Sequence, residues 1–314
     1  MMKNITKIDE VYNRFLLNVA KINRKLNLSV SFRKRFNMMR HKLILNRISS
    51  YLLEALHDTD VIDFKQESEN NGPIWVFWWQ GKDEMPLIVK KCYKSVLRYA
   101  GDRQVILINK RNFRKFTDIS NIIIDKEEKG MITLTHFSDI LRFNLLKNYG
   151  GLWLDATMFV TSEITEKYFS PIFTCSGFPN DDYFFVAKGR WTGFLIGGCK
   201  GSEIFVFMDN FFKRYWSRND YLIDYFLIDY ALFFAWKNNL SNFYSFTSKT
   251  KKLNNPNLFE LSKLLNKPFN LEKYNSILKD TEMYKLSYKK NLSHNENSFY
   301  NIIINSDVNL PIHN

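Results

Sequence analysis

The sequence is poor in the residues that make loops and cross-links. Only 12 Gly and 7 Pro occur in 314 residues, which argues against a loop-rich all-β protein. The three cysteines, Cys92, Cys175 and Cys199, are scattered and fall in no Cys-x-x-Cys or Cys/His spacing. Neither a disulfide framework nor a zinc site is expected from them, and reduced thiols of a cytoplasmic protein fit best. No run of 18 apolar residues exists, so no membrane-spanning helix is predicted. The N-terminus shows no signal-peptide pattern, and no leader is expected. No Gly-x-Gly-x-x-Gly or Walker motif occurs, which leaves NAD and ATP readings without support. Acidic residues are scarce at the start. Only Asp9 and Glu10 stand against twelve Lys and Arg in residues 1–50, so +10 of the chain's net +13 lies there.

What is present points to a folded α/β protein. A hydrophobic fraction of 45%, with 28 Phe and 7 Trp, provides a sizeable core and is not a disordered composition. Residues 4–28 place Ile8, Tyr12, Phe15, Val19, Ile22 and Leu26 at spacings of four and three, an amphipathic helix. Lys7, Arg14 and Lys21 form a basic row beside it, followed by Arg33-Lys34-Arg35 and a second apolar-rich stretch, 43–56. Such a segment can lie on an anionic membrane surface or pack as a hairpin on the body or on a second copy, and the two are compatible. Residues 57–72 turn polar and acidic, a candidate linker. The division expected is a basic amphipathic segment with linker over 1–70 and a catalytic domain over 71–314.

From Ile74 the pattern alternates. Residues 74–78 read as a strand. Pro86 opens a helix to about Ala100, at its favoured first position. Strands are expected over 104–108 and 122–125, which argues for a parallel sheet with right-handed crossovers. Further strands are expected over 172–176 and 183–187, with Asn180, Asp181 and Asp182 as a turn between them. A core helix is expected over 203–215. Residues 220–230 read as an apolar helix carrying Asp224 and Asp229. Five residues apart, these lie about 140° around the axis, and acids in apolar surroundings tend to have raised pKa values and functional roles. Capping, or pairing with buried Lys or Arg, is the other reading.

The stretch from His136 to Val160 is the most informative. Phe137, Ile140, Leu141, Leu145 and Tyr149 give a helix one apolar face. Ser138 is expected at its N-cap or first turn. Asp139 suits the positive end of its dipole, and Asp139 and Arg142, three apart, share a face. Gly150-Gly151 stops the helix. Leu152-Trp153-Leu154 reads as a buried strand ending in Asp155, Ala156 and Thr157. A carboxylate at the carboxyl end of a buried strand sits where open α/β sheets bind ligands; otherwise it caps the next segment.

This pattern of Ser138, Asp139, Arg142, Gly150, Gly151, Trp153, Asp155, Ala156 and Thr157 resembles the core signature of the capsular polysaccharide synthesis family of sugar transferases. Those are akin to glycosyltransferases with Asp-x-Asp motifs and to the clostridial glucosylating toxins. The likeness runs, with gaps, from about Ile74 to Lys289. It implies a GT-A fold, Rossmann-like, with a mostly parallel central sheet flanked by helices. It also implies that Asp139 and Arg142 hold the donor sugar and its phosphates, with Ser138 and Gly151 in the same motif. Asp155 would bind Mn²⁺ or Mg²⁺ on the nucleotide diphosphate, although Thr157 stands where a second Asp would. Trp78, Trp79 and Gln80 resemble the nucleotide-base pocket, where one Trp would stack on uracil; core packing is the alternative for either Trp. The 224–230 string also looks like the family and favours a catalytic role for Asp224. Residues 284–289 resemble the closing segment, in which Lys285 or Lys289 would meet the leaving UDP. His294 and Asn295 are further candidates for metal or phosphate contacts.

The function so implied is retaining transfer of a hexose, galactose or else glucose, from a UDP-sugar to a lipid-linked (undecaprenyl diphosphate) saccharide. It would act at the inner face of the membrane, peripherally bound through residues 1–50. Two competing readings are a protein-glycosylating enzyme of the toxin type and, given a pI near 9.4, a nucleic-acid-binding protein. Nucleic acid is not expected as a partner, because the positive charge is segregated from the α/β body and no recognised motif appears.

Overall fold

The computed structural model describes residues 4–61, 71–169, 171–176, 178, 181–249, 255–289, 292 and 295–305. In chain order these form α1 (Lys7–Lys25), α2 (Val30–Val61), β1 (Ile74–Phe77), α3 (Leu87–Tyr99), β2 (Val105–Ile108), α4 (Phe113–Phe116), α5 (Asn121–Glu128), α6 (Leu134–Tyr149), β3 (Gly151–Asp155), β4 (Met158–Val160) and β5 (Ile172–Thr174). There follow β6 (Leu195–Gly198), α7 (Glu203–Arg218), α8 (Leu227–Lys237), α9 (Phe243–Lys249), α10 (Glu260–Leu264), α11 (Leu271–Leu278), β7 (Met283–Lys285) and α12 (Phe299–Asn305).

Five strands form one sheet in the order β2-β1-β3-β6-β5. β1 pairs in parallel with both β2 and β3, while β6 runs antiparallel to β3 and to β5. All strands but β6 therefore point one way. β4 and β7 pair antiparallel in a separate ladder. Side-chain alternation divides the sheet between two cores. Trp75 and Trp153 enter the core shared with α2, α6 and α7. Ile74, Val76, Leu152 and Leu154 enter the core shared with α3 and β4. Asp155 has the parity of Trp153, so it faces α6.

α6 is buried nearly all round from His136 to Lys147, so its polar residues need internal partners. Lys147 Nζ meets Asp209 Oδ2 of α7 at 2.7 Å, and Asn144 Nδ2 meets Asp209 Oδ1 at 2.8 Å. The helix stops at Gly150, φ +67°. Gly151 has φ +99°, and a Cβ there would lie 2.1 Å from the Pro73 carbonyl oxygen. The close approach of the 72–73 backbone thus requires this glycine.

Several expectations are corrected. Residues 122–125 are helical, within α5. Ile123 and Ile124 are buried and the run continues into Asp-Lys-Glu-Glu, so one helix face suffices to bury the isoleucines. Residues 183–187 form no strand. Tyr183 has φ +54°, and helix side chains satisfy the local backbone: Asn37 Nδ2 donates to Asp182 O and Arg40 Nη2 to Phe184 O. β5 stops at Thr174, short of Ser176. Residues 220–226 precede α8 rather than extending it, because Asp224 Oδ1 accepts the Phe226 N–H at 2.8 Å in a turn. Pro86 is the N-cap of α3, one position before its first turn. Residues 57–61 end α2, with Asp58 paired to Arg214 at 2.6 Å. Residues 62–70 of the expected linker, like Asn180 and His294, lie outside the described residues. α1 and α2 pack on each other, and α2 packs along α7 through Ile44, Ile48, Tyr51 and Ala55. Among the described residues no helix is long and apolar enough to cross a membrane.

Candidate active site

The carboxyl ends of β1 and β3 open into a cleft of about 600 Å³. Its walls come from Trp78, Trp79 and Gln80 after β1, Ser138 on α6, Asp155 at the end of β3 with Ala156 and Thr157 after it, and Lys285 at the end of β7 with 286–289 after it. A smaller recess of about 190 Å³ adjoins it, lined by His136, Asp139, Arg142, Tyr225 and Asp229 among others. The two share Thr135, Ser138, Asp155, Phe194 and Tyr225 as a common wall.

Asp155 lies at the junction. Its Oδ1 accepts from Trp153 Nε1 at 2.9 Å, which the shared strand parity allows, and from Arg142 Nη2 at 3.3 Å. Its Oδ2 accepts from Lys285 Nζ at 2.6 Å. Burial works to raise the Asp155 carboxyl, but the charges of Lys285 and Arg142 outweigh it and hold the group below its ordinary range. Arg142 also donates to Asp139 Oδ1 at 2.8 Å across one helical turn, and its guanidinium lies 4.9 Å from the Trp153 ring centre. Lys285 arrives because β7 pairs with β4: Leu286 N–H donates to Thr157 O at 2.9 Å, and the ammonium lies 4.6 Å from the Phe194 ring centre.

The helix start is shifted from the expectation. Thr133 is the N-cap of α6, its side chain accepting from His136 N–H. Ser138 sits a turn inside and donates to Thr135 O at 2.6 Å, yet it still lines both chambers. His136 Nε2 accepts from Trp216 Nε1 at 2.9 Å. Indole is a donor only, so this imidazole carries its proton on Nδ1. That Nδ1 is buried without a hydrogen-bond partner, 3.6 Å from Asp139 Oδ2.

The two acids of the 220–230 segment part company. Asp224 pairs with Arg40 of α2 at 3.4 Å, both side chains fully buried, and lines neither chamber. Asp229 lines the inner recess, and its Oδ1 accepts from Trp191 Nε1 at 2.9 Å. Burial pushes its carboxyl up to about 7 against that hydrogen bond. Sequence reasoning placed both acids on one helix; the turn at 224–226 separates them.

Among the other candidates, Trp79 has rings of Phe77, Phe113 and Phe137 around it, while Trp78 meets the Tyr288 ring edge-on. Both tryptophans line the cleft. Trp78 Nε1 is buried without a hydrogen-bond partner. Lys289 lines the same wall, and Gly151 lines neither chamber. Asn295 serves a local turn, its side chain accepting from Asn297 N–H.

No group of three or more His, Cys, Asp or Glu able to hold a metal occurs among the described residues. The outer cleft offers one carboxylate, Asp155. That suits an ion that takes one or two carboxylates and completes its shell with substrate phosphates and water, as Mg²⁺ does, rather than one caged by protein alone.

The family model described as capsular polysaccharide synthesis protein matches residues 24–303. No curated protein and no solved structure matches the chain.

Proposed function

Because the chain belongs to the capsular polysaccharide synthesis protein family, we propose that it is a glycosyltransferase of capsule synthesis. It moves a hexose, galactose or else glucose, from a UDP-sugar to a lipid-linked saccharide. The observation that carries this reading is the convergence of Arg142 and Lys285 on Asp155 at the floor of an open cleft, where β3 ends. Such a cluster of fixed charges at strand ends is what a nucleoside diphosphate requires.

In this reading the base lies against Trp78, Trp79 and Gln80, and the diphosphate over Asp155. Lys285, with Lys289, stabilises the charge that builds on the β-phosphate as the glycosidic bond breaks. Mn²⁺ or Mg²⁺ would be held by Asp155 together with the diphosphate oxygens, and when bound supplies further neutralisation of the leaving group. The sugar occupies the inner recess. There Arg142, oriented by Asp139, and the carboxylate of Asp229 present a donor and an acceptor to its hydroxyls. The inference of a GT-A enzyme that retains anomeric configuration rests on the motif resemblance. A lipid-carried acceptor brings the work to the inner face of the membrane.

The test is a UDP-release assay on purified protein with UDP-galactose, UDP-glucose, UDP-N-acetylhexosamines and GDP-mannose, each with Mn²⁺ and with EDTA. Hydrolysis of one UDP-sugar, suppressed by EDTA, is expected. Silence with every donor, and no shift in melting temperature on adding UDP, would overturn the reading.

A further inference from the structure

α1 is docked by its weaker side. The face turned to the body carries Asn13, Leu16, Leu17, Ala20 and Asn23. The stronger apolar row, Ile8, Val11, Tyr12, Phe15, Ile22 and Leu26, faces solvent, with Ile8 80%, Phe15 61% and Leu26 64% exposed. Ile8 and Leu26 are about five full turns apart, so the row runs straight along a helix of about 28 Å. Leu28, between the helices, and Val30 and Phe32 at the start of α2 are exposed as well. A contiguous apolar stripe left in water marks an interaction surface.

We propose that this stripe is seated in the headgroup region of an anionic bilayer, with α1 lying in the membrane plane. The inference deepens the membrane placement proposed above and rests on it. Charge decides the occupant. Lys7, Arg14, Lys21 and Lys25 are exposed and follow one edge of the stripe. No Asp or Glu occurs between Glu10 and Glu54. Glu10 is paired with Arg14, and Asp9 with Arg47 at 3.0 Å. A second copy docking through the same face would add another basic row with no carboxylate to oppose it. Anionic lipid supplies the missing charge and also takes the apolar side chains. The sequence pattern alone leaves open that the apolar row packs on the body while only the basic row meets lipid. The structure turns the apolar row outward, so attachment has an inserted part that salt does not screen.

The test is flotation of the full chain with phosphatidylcholine–phosphatidylglycerol vesicles and with phosphatidylcholine alone, at low and high salt. An Ile8→Ser, Phe15→Ser, Ile22→Ser variant touches only exposed positions. It should lose about tenfold or more in binding to the anionic vesicles at either salt. An Arg14→Gln, Lys21→Gln variant should lose binding mainly at low salt. Wild-type-like flotation of the serine variant would overturn the proposal. A dimer in light scattering that needs the stripe, without vesicle binding, would assign the face to a second copy and overturn it equally. UDP-sugar hydrolysis in solution, measured on the same proteins, should match wild type. Stripe-dependent flotation in a protein that hydrolyses no donor would refute the site assignment and leave the docking face standing.

Discussion

Replacing Lys285 by alanine separates what the site contributes to stability from what it contributes to the proposed sugar transfer. The change removes the ammonium 2.6 Å from Asp155 Oδ2. The two side chains are 21% and 30% exposed, so water already screens the pair, and Asp155 keeps its hydrogen bonds from Arg142 and Trp153. The stability loss should be on the order of 1 kcal/mol, a fall of about 2 °C in melting temperature for a chain of this size. The loss in turnover should be much larger. Removing one preorganised group that meets developing charge costs about 10²–10³-fold, or roughly 3–4 kcal/mol of barrier. Thermal melts and initial rates at saturating UDP-sugar measure the two effects on one preparation. Lys285→Arg, which restores the charge, should recover part of the rate. A Lys285→Ala protein that turns over like wild type would refute this role for the ammonium. So would a melting temperature that falls so far that lost folding accounts for the lost rate.

Arg40→Met leaves the Asp224 carboxylate buried without its cation and should cost about 3–5 kcal/mol in chemical denaturation, with part regained on adding Asp224→Asn; a single variant as stable as wild type would contradict the buried pair. Asp229 has its pKa raised from 3.8 to about 7, so its contribution to stability is fully present below the lower value and lost as pH rises to the upper one. Wild type should therefore lose melting temperature relative to Asp229→Asn between those pH values and run parallel above them; parallel curves throughout would place Asp229 in water. Gly151→Ala forces a Cβ onto the Pro73 carbonyl oxygen at φ +99° and should cost about 3 kcal/mol or more, read by the same denaturation.

The parts of the molecule that were legible in the sequence are those fixed by near neighbours. Asp139 and Arg142 share a face by helical spacing, and Asp155 follows Trp153 by strand parity, so the convergence of all three is written into one stretch of chain. Lys285 came only through resemblance, because the β4–β7 pairing that delivers it joins segments over a hundred residues apart in sequence. The acids at 224 and 229 look like parts of one helix in sequence, but Asp224 caps a turn at Phe226 and pairs with Arg40, a partner far away in the chain. Residues 122–125 look like a strand in isolation and become a helix because one face against α7 is enough to bury two isoleucines. For α1 the periodicity was plain, but which side meets the body depends on α2 and the rest of the fold.

The proposed nucleoside-diphosphate site is Asp155 with Arg142 and Lys285 on it. Calorimetric titration of UDP into the purified protein with Mn²⁺, repeated with Asp155→Asn and with EDTA, tests that assignment. Saturable one-site binding to wild type is expected, weakening sharply in the variant and on chelation. Equal binding by wild type and Asp155→Asn, or no heat from either while both melt normally, would contradict it.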